Sequence, residues 1–259
     1  MSSDKTREYF EFLAHLGMTK HHGSMEATRE LVGLCHIGRG QVVLDVGCGV
    51  GATPSYLVET VGCRVIGVDL VGKMIEHSQG RAKADGVADG IEFTVADARR
   101  LPFESDLFDA VIMESLNIFF AEKQEAMREY VRVTKPGGYV GITEMTWLKP
   151  PLPKVEEFYR EVIFAEALDA DGWTALLEAA GLEEVVGNGY RIDIPLESKG
   201  RFERYGFGEI AKVMLRTVVG FATDRGYRKY LKGGTGTVSR DLLDHVGYGV
   251  YAGRKGSSS

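Results

Sequence analysis

The chain reads as an α/β protein built on a mostly parallel sheet, and two patterns say so. From Gln41 onward, short apolar β-branched runs alternate with amphipathic stretches, the trace that strand–helix–strand units leave in a sequence. Between the first run and the first of those stretches lies a glycine-rich loop, Gly47-Cys-Gly-Val-Gly51, the kind of junction at which open α/β sheets hold ligands. Composition agrees: 44% of the 259 residues are hydrophobic and 26% charged, as in ordinary globular domains. A chain of this length buries roughly 70% of its unfolded surface and needs neither metal nor disulfide staples.

Residues 4–36 predict two helices split by a polar break from Gly17 to Gly23, with Ser24 as the N-cap of the second. The strand candidates are Val42–Val46, Arg64–Val68, Ile91–Val95, Ala110–Met113 and Tyr139–Thr143, with helices over 54–61, 72–85 and 122–133. Thr53 followed by Pro54 marks the first of these helix starts, Thr as cap and Pro at the first helical position. Asp171 and Gly181 bracket a further helix over 172–180. Glu184–Ile192 and Val246–Gly253 are the last two strand candidates. The stretch between them is rich in Phe and Tyr and reads as a helical insertion, because a structureless loop of that length is uncommon in a domain.

Charge and cysteine usage narrow the function classes. Thirty-one basic against 37 acidic residues leave a net charge of −6, without the basic face that nucleic-acid binding requires. The nearest candidate, Arg225, Arg228, Lys229 and Lys232, is flanked by Asp224 and reads as a solvated helix face. Cys35, Cys48 and Cys63 have no metal-ligand spacing and leave one thiol over under any single pairing, which points to reduced thiols and a cytoplasmic protein. No metal site is expected. No run approaches the ~18 apolar residues of a membrane span, and Met1–Glu8 lacks a signal-peptide core. No integral membrane association is expected.

Val42-Val-Leu-Asp45-Val-Gly47-Cys-Gly49-Val-Gly51 runs from a buried strand through three glycines toward a helix, and glycine lets a backbone approach a ligand with no Cβ in the way. Gly47, Gly49 and Ala52 also satisfy the dinucleotide fingerprint, so spacing alone leaves an NAD-dependent oxidoreductase open. Asp69 closes the second strand 20 residues beyond Gly49, where a carboxylate can accept from ribose hydroxyls of either cofactor. Asp45 discriminates. An acid two residues before the first glycine would repel a pyrophosphate and attract a cationic cofactor end.

With these residues in place, the sequence resembles the class I S-adenosylmethionine-dependent methyltransferases. The resemblance rests on Leu44-Asp-Val-Gly-Cys-Gly-Val-Gly51, Gly67-Val-Asp69, Ala96-Asp97-Ala98, Phe108-Asp-Ala-Val-Ile112 and Lys135-Pro-Gly-Gly138, in the family's order over roughly residues 38–147. Within the family it looks most like the small-molecule branch of quinone and sterol C-methyltransferases and sarcosine-type N-methyltransferases. The resemblance implies a Rossmann-like seven-stranded sheet, mostly parallel, with Val246–Gly253 as its antiparallel last strand. It implies S-adenosyl-L-methionine as cofactor, with Gly47, Gly49 and Gly51 beneath it and Asp45 near its methionine end. Asp69 would take the ribose hydroxyls, Leu70 the adenine face, Asp97 the adenine amino group and Ala98 the ring edge. Lys135–Gly138 would be the turn into the fifth strand.

Asp45, Asp69, Asp97, Glu114 and Glu144 each fall at or just past the carboxyl end of a successive predicted strand, so five carboxylates would converge on one crevice. Glu114 is expected to line the methyl-transfer pocket, beside the cofactor. Glu114, Glu144 and His21 are the catalytic candidates: the acids could neutralise an ammonium or act as bases, and His21, next to His22, can move a proton near neutral pH. Glu114-Ser-Leu-Asn117 departs from the Asn-Pro-Pro-Tyr-like motif of methylases acting on nucleic-acid bases or protein amides, which leaves a small-molecule acceptor. Trp147, Pro150 and Pro151 would wall the pocket or pack on the surface. Phe202, Tyr205, Phe207, Phe221, Tyr227 and Tyr230 of the insertion form an aromatic lid over the acceptor or a core or homodimer face, and the sequence leaves both open.

The expectation is one methyltransferase domain over 1–259: a helical cover at 1–36, a cofactor-binding core at 37–192, a lid at 193–245 and a last strand at 246–254. Its reaction would be in-line methyl transfer from S-adenosylmethionine to a small molecule. A non-catalytic S-adenosylmethionine- or S-adenosylhomocysteine-binding module is the alternative.

Overall fold

The computed structural model describes residues 4–19, 21–163, 165–223 and 240–257. Its strands are β1 (Val42–Val46), β2 (Arg64–Asp69), β3 (Ile91–Val95), β4 (Phe108–Glu114), β5 (Thr134–Trp147), β6 (Leu168–Asp169), β7 (Leu182–Arg191) and β8 (Val246–Lys255). Seven lie in the order β3-β2-β1-β4-β5-β8-β7, and the two-residue β6 adds an eighth beside β5. β8 alone runs antiparallel, against both β5 and β7. The expected topology is therefore met, with one strand more than expected.

The central strands β1, β4, β5 and β8 are buried on both faces, which is why they read as apolar runs, while the edge strands β3 and β7 are largely exposed. Leu44, Val46, Val111 and Met113 pack into one core, while Val43, Ala110 and Ile112 pack into the other. That split is the period of two that strand geometry imposes. The helices are α1 (Asp4–Leu16), α2 (Ser24–Leu34), α3 (Ala52–Tyr56), α4 (Gly72–Ala84), α5 (Lys123–Val133), α6 (Pro153–Phe158), α7 (Ala170–Ala179), α8 (Ile194–Thr223) and α9 (Arg240–His245). A π-helical turn, Leu57–Val61, continues α3 and ends on Gly62, whose φ of 78° a side chain would resist.

Three helix starts differ from expectation. α2 is entered through Gly23 at φ 85°, although the Ser24 hydroxyl still accepts the Glu26 N–H at 3.2 Å, as a cap would. α3 begins one residue earlier than Thr53, on a left-handed Gly51. The Thr53 hydroxyl is thereby released from capping and turns inward. α7 is capped by Asp169, which accepts the Gly172 N–H at 2.8 Å, and not by Asp171. Lys135–Gly138 is a bulge inside β5 rather than a turn before it: Phe108 pairs with Thr134 and Ala110 already with Tyr139. Asp109 stands opposite the bulge, accepting from Lys135 Nζ at 2.6 Å and from the Val42 N–H at 2.8 Å.

The described parts of the insertion, Ile194–Thr223 and Arg240–His245, are helical. α8 kinks at Gly206 (φ 68°, ψ 163°), so two helical arms leave one joint. Just before the joint, Arg204 and Tyr205 point inward and are buried, while Phe202 and Phe207 stack on each other outside. Tyr227 and Tyr230 lie outside the described residues, as do Arg225, Arg228, Lys229 and Lys232 and the side chain of Phe221. No described helix is long and apolar enough to cross a membrane.

Candidate active site

A recess of about 830 Å³, partly open to solvent, lies at the carboxyl ends of β1, β2 and β4. Gly47 and Asp69 form its floor, Leu70, Asp97 and Ala98 one wall, and Phe10 and Leu13 of α1 the cover on the other side. The glycine loop is packed from above and below. A Cβ on Gly49 would lie 2.1 Å from Thr19 Cγ2, and one on Gly51 2.9 Å from the Ser78 backbone. Both residues also have positive φ, so glycine is required twice over.

Asp69 is held by the loop it supports. Its Oδ2 accepts the Gly49 N–H at 3.1 Å and its Oδ1 the Val71 N–H at 2.9 Å. Burial nevertheless pushes its carboxyl above the usual range. Asp97 lines the recess, but Arg99 forks its carboxylate at 2.9 and 2.6 Å and holds it below the usual range. Arg99 lies in turn 5.9 Å from the Phe120 ring centre. Asp45 is 2% exposed, and its Oδ2 has no hydrogen-bond partner. Burial, then the charge of Glu114, drives its carboxyl well above the ordinary range. The Arg204 charge offsets only part of that rise, and Asp45 sits beneath the loop, off the recess lining.

Glu114 lines the recess as expected, and behind it a second cluster gathers side chains from four distant segments, with His21 and the others off the recess lining. Glu114 Oε1 faces His21 Nε2 and the Thr28 hydroxyl, each at 2.7 Å, and Oε2 accepts from the Thr53 hydroxyl at 2.5 Å. Arg204 donates to Thr53 Oγ1 at 3.3 Å and Thr28 Oγ1 at 3.0 Å, with a terminal nitrogen 3.8 Å from Glu114 Oε2. Burial alone would raise the Glu114 carboxyl, but His21, Arg204 and the Thr53 hydroxyl together hold it far below the usual range. Burial, and then the Arg204 charge, push His21 below its ordinary value. An ionised carboxylate only accepts, so His21 Nε2 carries the hydrogen and the neutral ring keeps its lone pair on Nδ1.

Glu144 is not part of this convergence. β5 runs on to Trp147, which leaves Glu144 inside the strand, fully buried and off the recess lining. Its Oε1 accepts the N–H groups of Leu116 and Asn117 at 2.9 and 2.5 Å, and burial pushes its carboxyl up to about 8. It braces the loop after β4. Trp147 packs edge-on against Tyr159, with ring centres 5.8 Å apart, so it is a packed residue and not a pocket wall. Sequence reading missed Thr28, Thr53, Arg99 and Arg204. The one available signal was Glu114 itself, since an acid buried at a strand end needs a cation, but nothing local says which arginine provides it.

Among the described residues no cluster of His, Cys, Asp and Glu could hold a metal ion. The methyltransferase-domain family matches residues 44–142. The methyltransferase GfsG of Streptomyces halstedii is 32% identical over 160 residues, 60% of this chain and 58% of that protein. An uncharacterised protein of Haemophilus influenzae is 31% identical over 179 residues, 67% of this chain and 71% of that one. This chain thus spans a little over half of GfsG. Among solved structures, the [4+2]-cyclase SpnF superposes with a TM-score of 0.76 at 20% identity, covering 97% of this chain and 95% of that one. A Haemonchus contortus phosphoethanolamine N-methyltransferase, solved with phosphomonomethylethanolamine and S-adenosylhomocysteine, gives 0.73 at 18% identity over 98% of this chain and 58% of that one. With the glycine loop, Asp69 and strand order agreeing, residues 44–142 form a methyltransferase domain of the S-adenosylmethionine-dependent kind.

Proposed function

We propose that the chain transfers a methyl group from S-adenosylmethionine to a small-molecule acceptor. The observation that carries this reading is Asp45. It is buried at the glycine loop with an oxygen lacking any partner, and the cofactor's ammonium is the cation that would satisfy it. Gly47, Gly49 and Gly51 would underlie the cofactor, and Asp69, whose oxygens each keep a second lone pair, would accept from the ribose. Leu70 and Ala98 would flank the adenine. Asp97, shared with Arg99, would form the outer rim of that end. The cofactor supplies a methyl group already activated on a sulfonium, so alignment can provide most of the acceleration, ~7–11 kcal/mol by position alone.

Glu114 has four donors around it and is held ionised, so its role in this reading is to orient His21. His21 Nδ1 then takes the proton of an acceptor that must lose one. The recess at the strand ends and the net charge of −6 support a small acceptor over nucleic acid. We further infer a cytoplasmic protein, from three buried free thiols, organised as a single domain. Phe207, Met214, Leu215 and Val218 of α8 are more than half exposed, which supports a homodimer through that helix. Light scattering across a dilution series tests that, a monomer at every concentration being the contrary result.

The primary test uses methyl-labelled S-adenosylmethionine with extract of the source organism, split into lipid, polar small-molecule, protein and RNA fractions. Asp69→Ala is the control. Label entering a small-molecule or lipid fraction only with intact protein supports the reading. Label in protein or RNA overturns the acceptor class. No label, with S-adenosylhomocysteine still bound, makes the chain a cofactor-binding module without methyl transfer.

A further inference from the structure

The insertion does more than cover the fold. Arg204 is 7% exposed and is carried in on α8 immediately before the Gly206 joint. Its guanidinium spans Thr53 at the start of α3 and Thr28 in α2, and Glu114 at the end of β4 lies within ion-pair reach. The carbonyl of Arg204 accepts from Arg81 of α4, which fixes the backbone from which the side chain departs. Burying such an ion pair seldom stabilises a protein as well as an apolar side chain of the same size would. A methionine could span the gap with no charge to desolvate. The arginine is therefore better explained by what it does to its neighbours.

Resting on the reading of His21 as the proton acceptor, we propose that Arg204 is a positioning residue. It clamps the Glu114 carboxylate in the orientation that takes the Nε2–H of His21, so that the proton-accepting pair is complete only while α8 is seated. The charged and titratable groups facing His21 are Glu114 from β4 and both Arg204 and Glu197 from α8, with the Thr28 hydroxyl of α2 3.4 Å from Nε2. Glu197 is tied to the Gly23 N–H at 2.6 Å, at the end of the break that carries His21. Both arms of the effect therefore come from one helix. When α8 lifts, Arg204 and Glu197 leave together; Arg204 is the stronger of the two at the ring, which is left with the Glu114 carboxylate and no opposing cation. The ring then holds a proton more tightly, and fewer molecules offer a free Nδ1 lone pair to an acceptor's proton. Seating α8 after the acceptor enters would switch the base on in the closed site alone.

The test reads His21 directly and needs no acceptor. Full-length protein with ring-labelled histidine is titrated by NMR, the His21 signal being assigned from its loss in His21→Gln. Arg204→Met should move the His21 midpoint up by about one pH unit, a tenfold gain in proton affinity. Arg204→Lys, which keeps the cation, should stay close to wild type. Thr53→Val, which removes one anchor of the guanidinium, should give a smaller upward shift, and it carries the test if Arg204→Met fails to fold. Identical midpoints in wild type, Arg204→Met and Thr53→Val overturn the proposal, as do equal shifts in Met and Lys. A His21 shift in a protein that methylates nothing would sink the proposed function and leave Arg204's role standing. Methyl transfer whose acid limb ignores Arg204→Met would do the reverse.

Discussion

The recess and the cluster behind it are built from the same strand ends by opposite means. The recess is built around its backbone: Gly47 on the lining, the Asp69 carboxylate on loop N–H groups, and Ala98 just beyond β3. Apart from the N-terminal cover and the residues from Glu114 onward, its parts follow one another between Val46 and Arg99, so each is set by its own strand and turn. The cluster is made of side chains at positions 21, 28, 53, 114 and 204, and no two of them are sequence neighbours. Local rules can write the first kind of site. The second exists only once α2, β4 and α8 have packed, and it fails as a unit.

Breaking Glu114 should therefore produce the largest effect. Glu114→Gln leaves Arg204 buried without a carboxylate, and removing one partner of a buried pair costs about 3–5 kcal/mol. Chemical denaturation should show that loss, with binding of S-adenosylhomocysteine at a permissive temperature retained. A Gln variant as stable as wild type would mean that the cluster is not the cooperative unit described above.

Glu144 braces the loop that joins the two regions, and its expected effect is one of pH. Its carboxyl is raised from 4.5 to about 8, so the folded state holds a proton that the unfolded state has released. Its contribution to stability is therefore present below about 4.5 and is lost as pH rises toward 8, by up to roughly 1.4 kcal/mol per unit. Glu144→Gln should abolish that loss: its unfolding free energy should gain on wild type between pH 5 and 8. Parallel curves for the two proteins would show Glu144 ionised in the fold.

Asp69→Ala cuts the recess while leaving the cluster intact. Two N–H groups lose their acceptor, and the proposed ribose contact goes with them. Hydrogen bonds to a charged group are worth about 1.5–3 kcal/mol, so calorimetry should show S-adenosylhomocysteine binding weakened by about a hundredfold. The His21 titration should not move. A shift there would mean that the two regions are one.

The sequence made the recess readable and the cluster half readable, for reasons these residues show. Five strand runs were found in place because each carries its own β-branched apolar run, and Gly47, Gly49 and Asp69 because loop geometry demands them locally. From the sequence Thr53 reads as a cap, since a hydroxyl before Pro54 looks committed to its own helix. In the fold, Gly51 takes over the helix start and the hydroxyl serves Glu114. Asp97 stands on the recess lining where the sequence puts it, and only its fork with Arg99 is illegible there, being a rotamer choice and not a pattern. Glu144 was assigned to the crevice because β5 looked shorter than it is. Arg204 had no local signal at all. An arginine in a helical insertion looks solvated until the helix docks.

The smallest effect belongs to the residue that joins the two regions, Tyr205. Its hydroxyl accepts the Thr19 N–H at 3.0 Å, lies 2.7 Å from Thr19 Oγ1 and donates to the Thr19 carbonyl at 3.1 Å. Thr19 in turn rests on Gly49, so the lid, the cover and the cofactor loop meet in one residue. Tyr205→Phe keeps the ring in its site and removes only the hydroxyl. Thr19 is partly solvated and regains some bonds from water, which limits the cost to about 1 kcal/mol. Stability and the His21 titration should hardly change. The Thr19 amide should exchange several-fold faster with solvent, and bound S-adenosylhomocysteine should dissociate faster by a similar factor, because the cover opens at lower cost. Faster exchange without faster dissociation would show that the cover does not gate the recess, and the two regions would then be joined by packing alone.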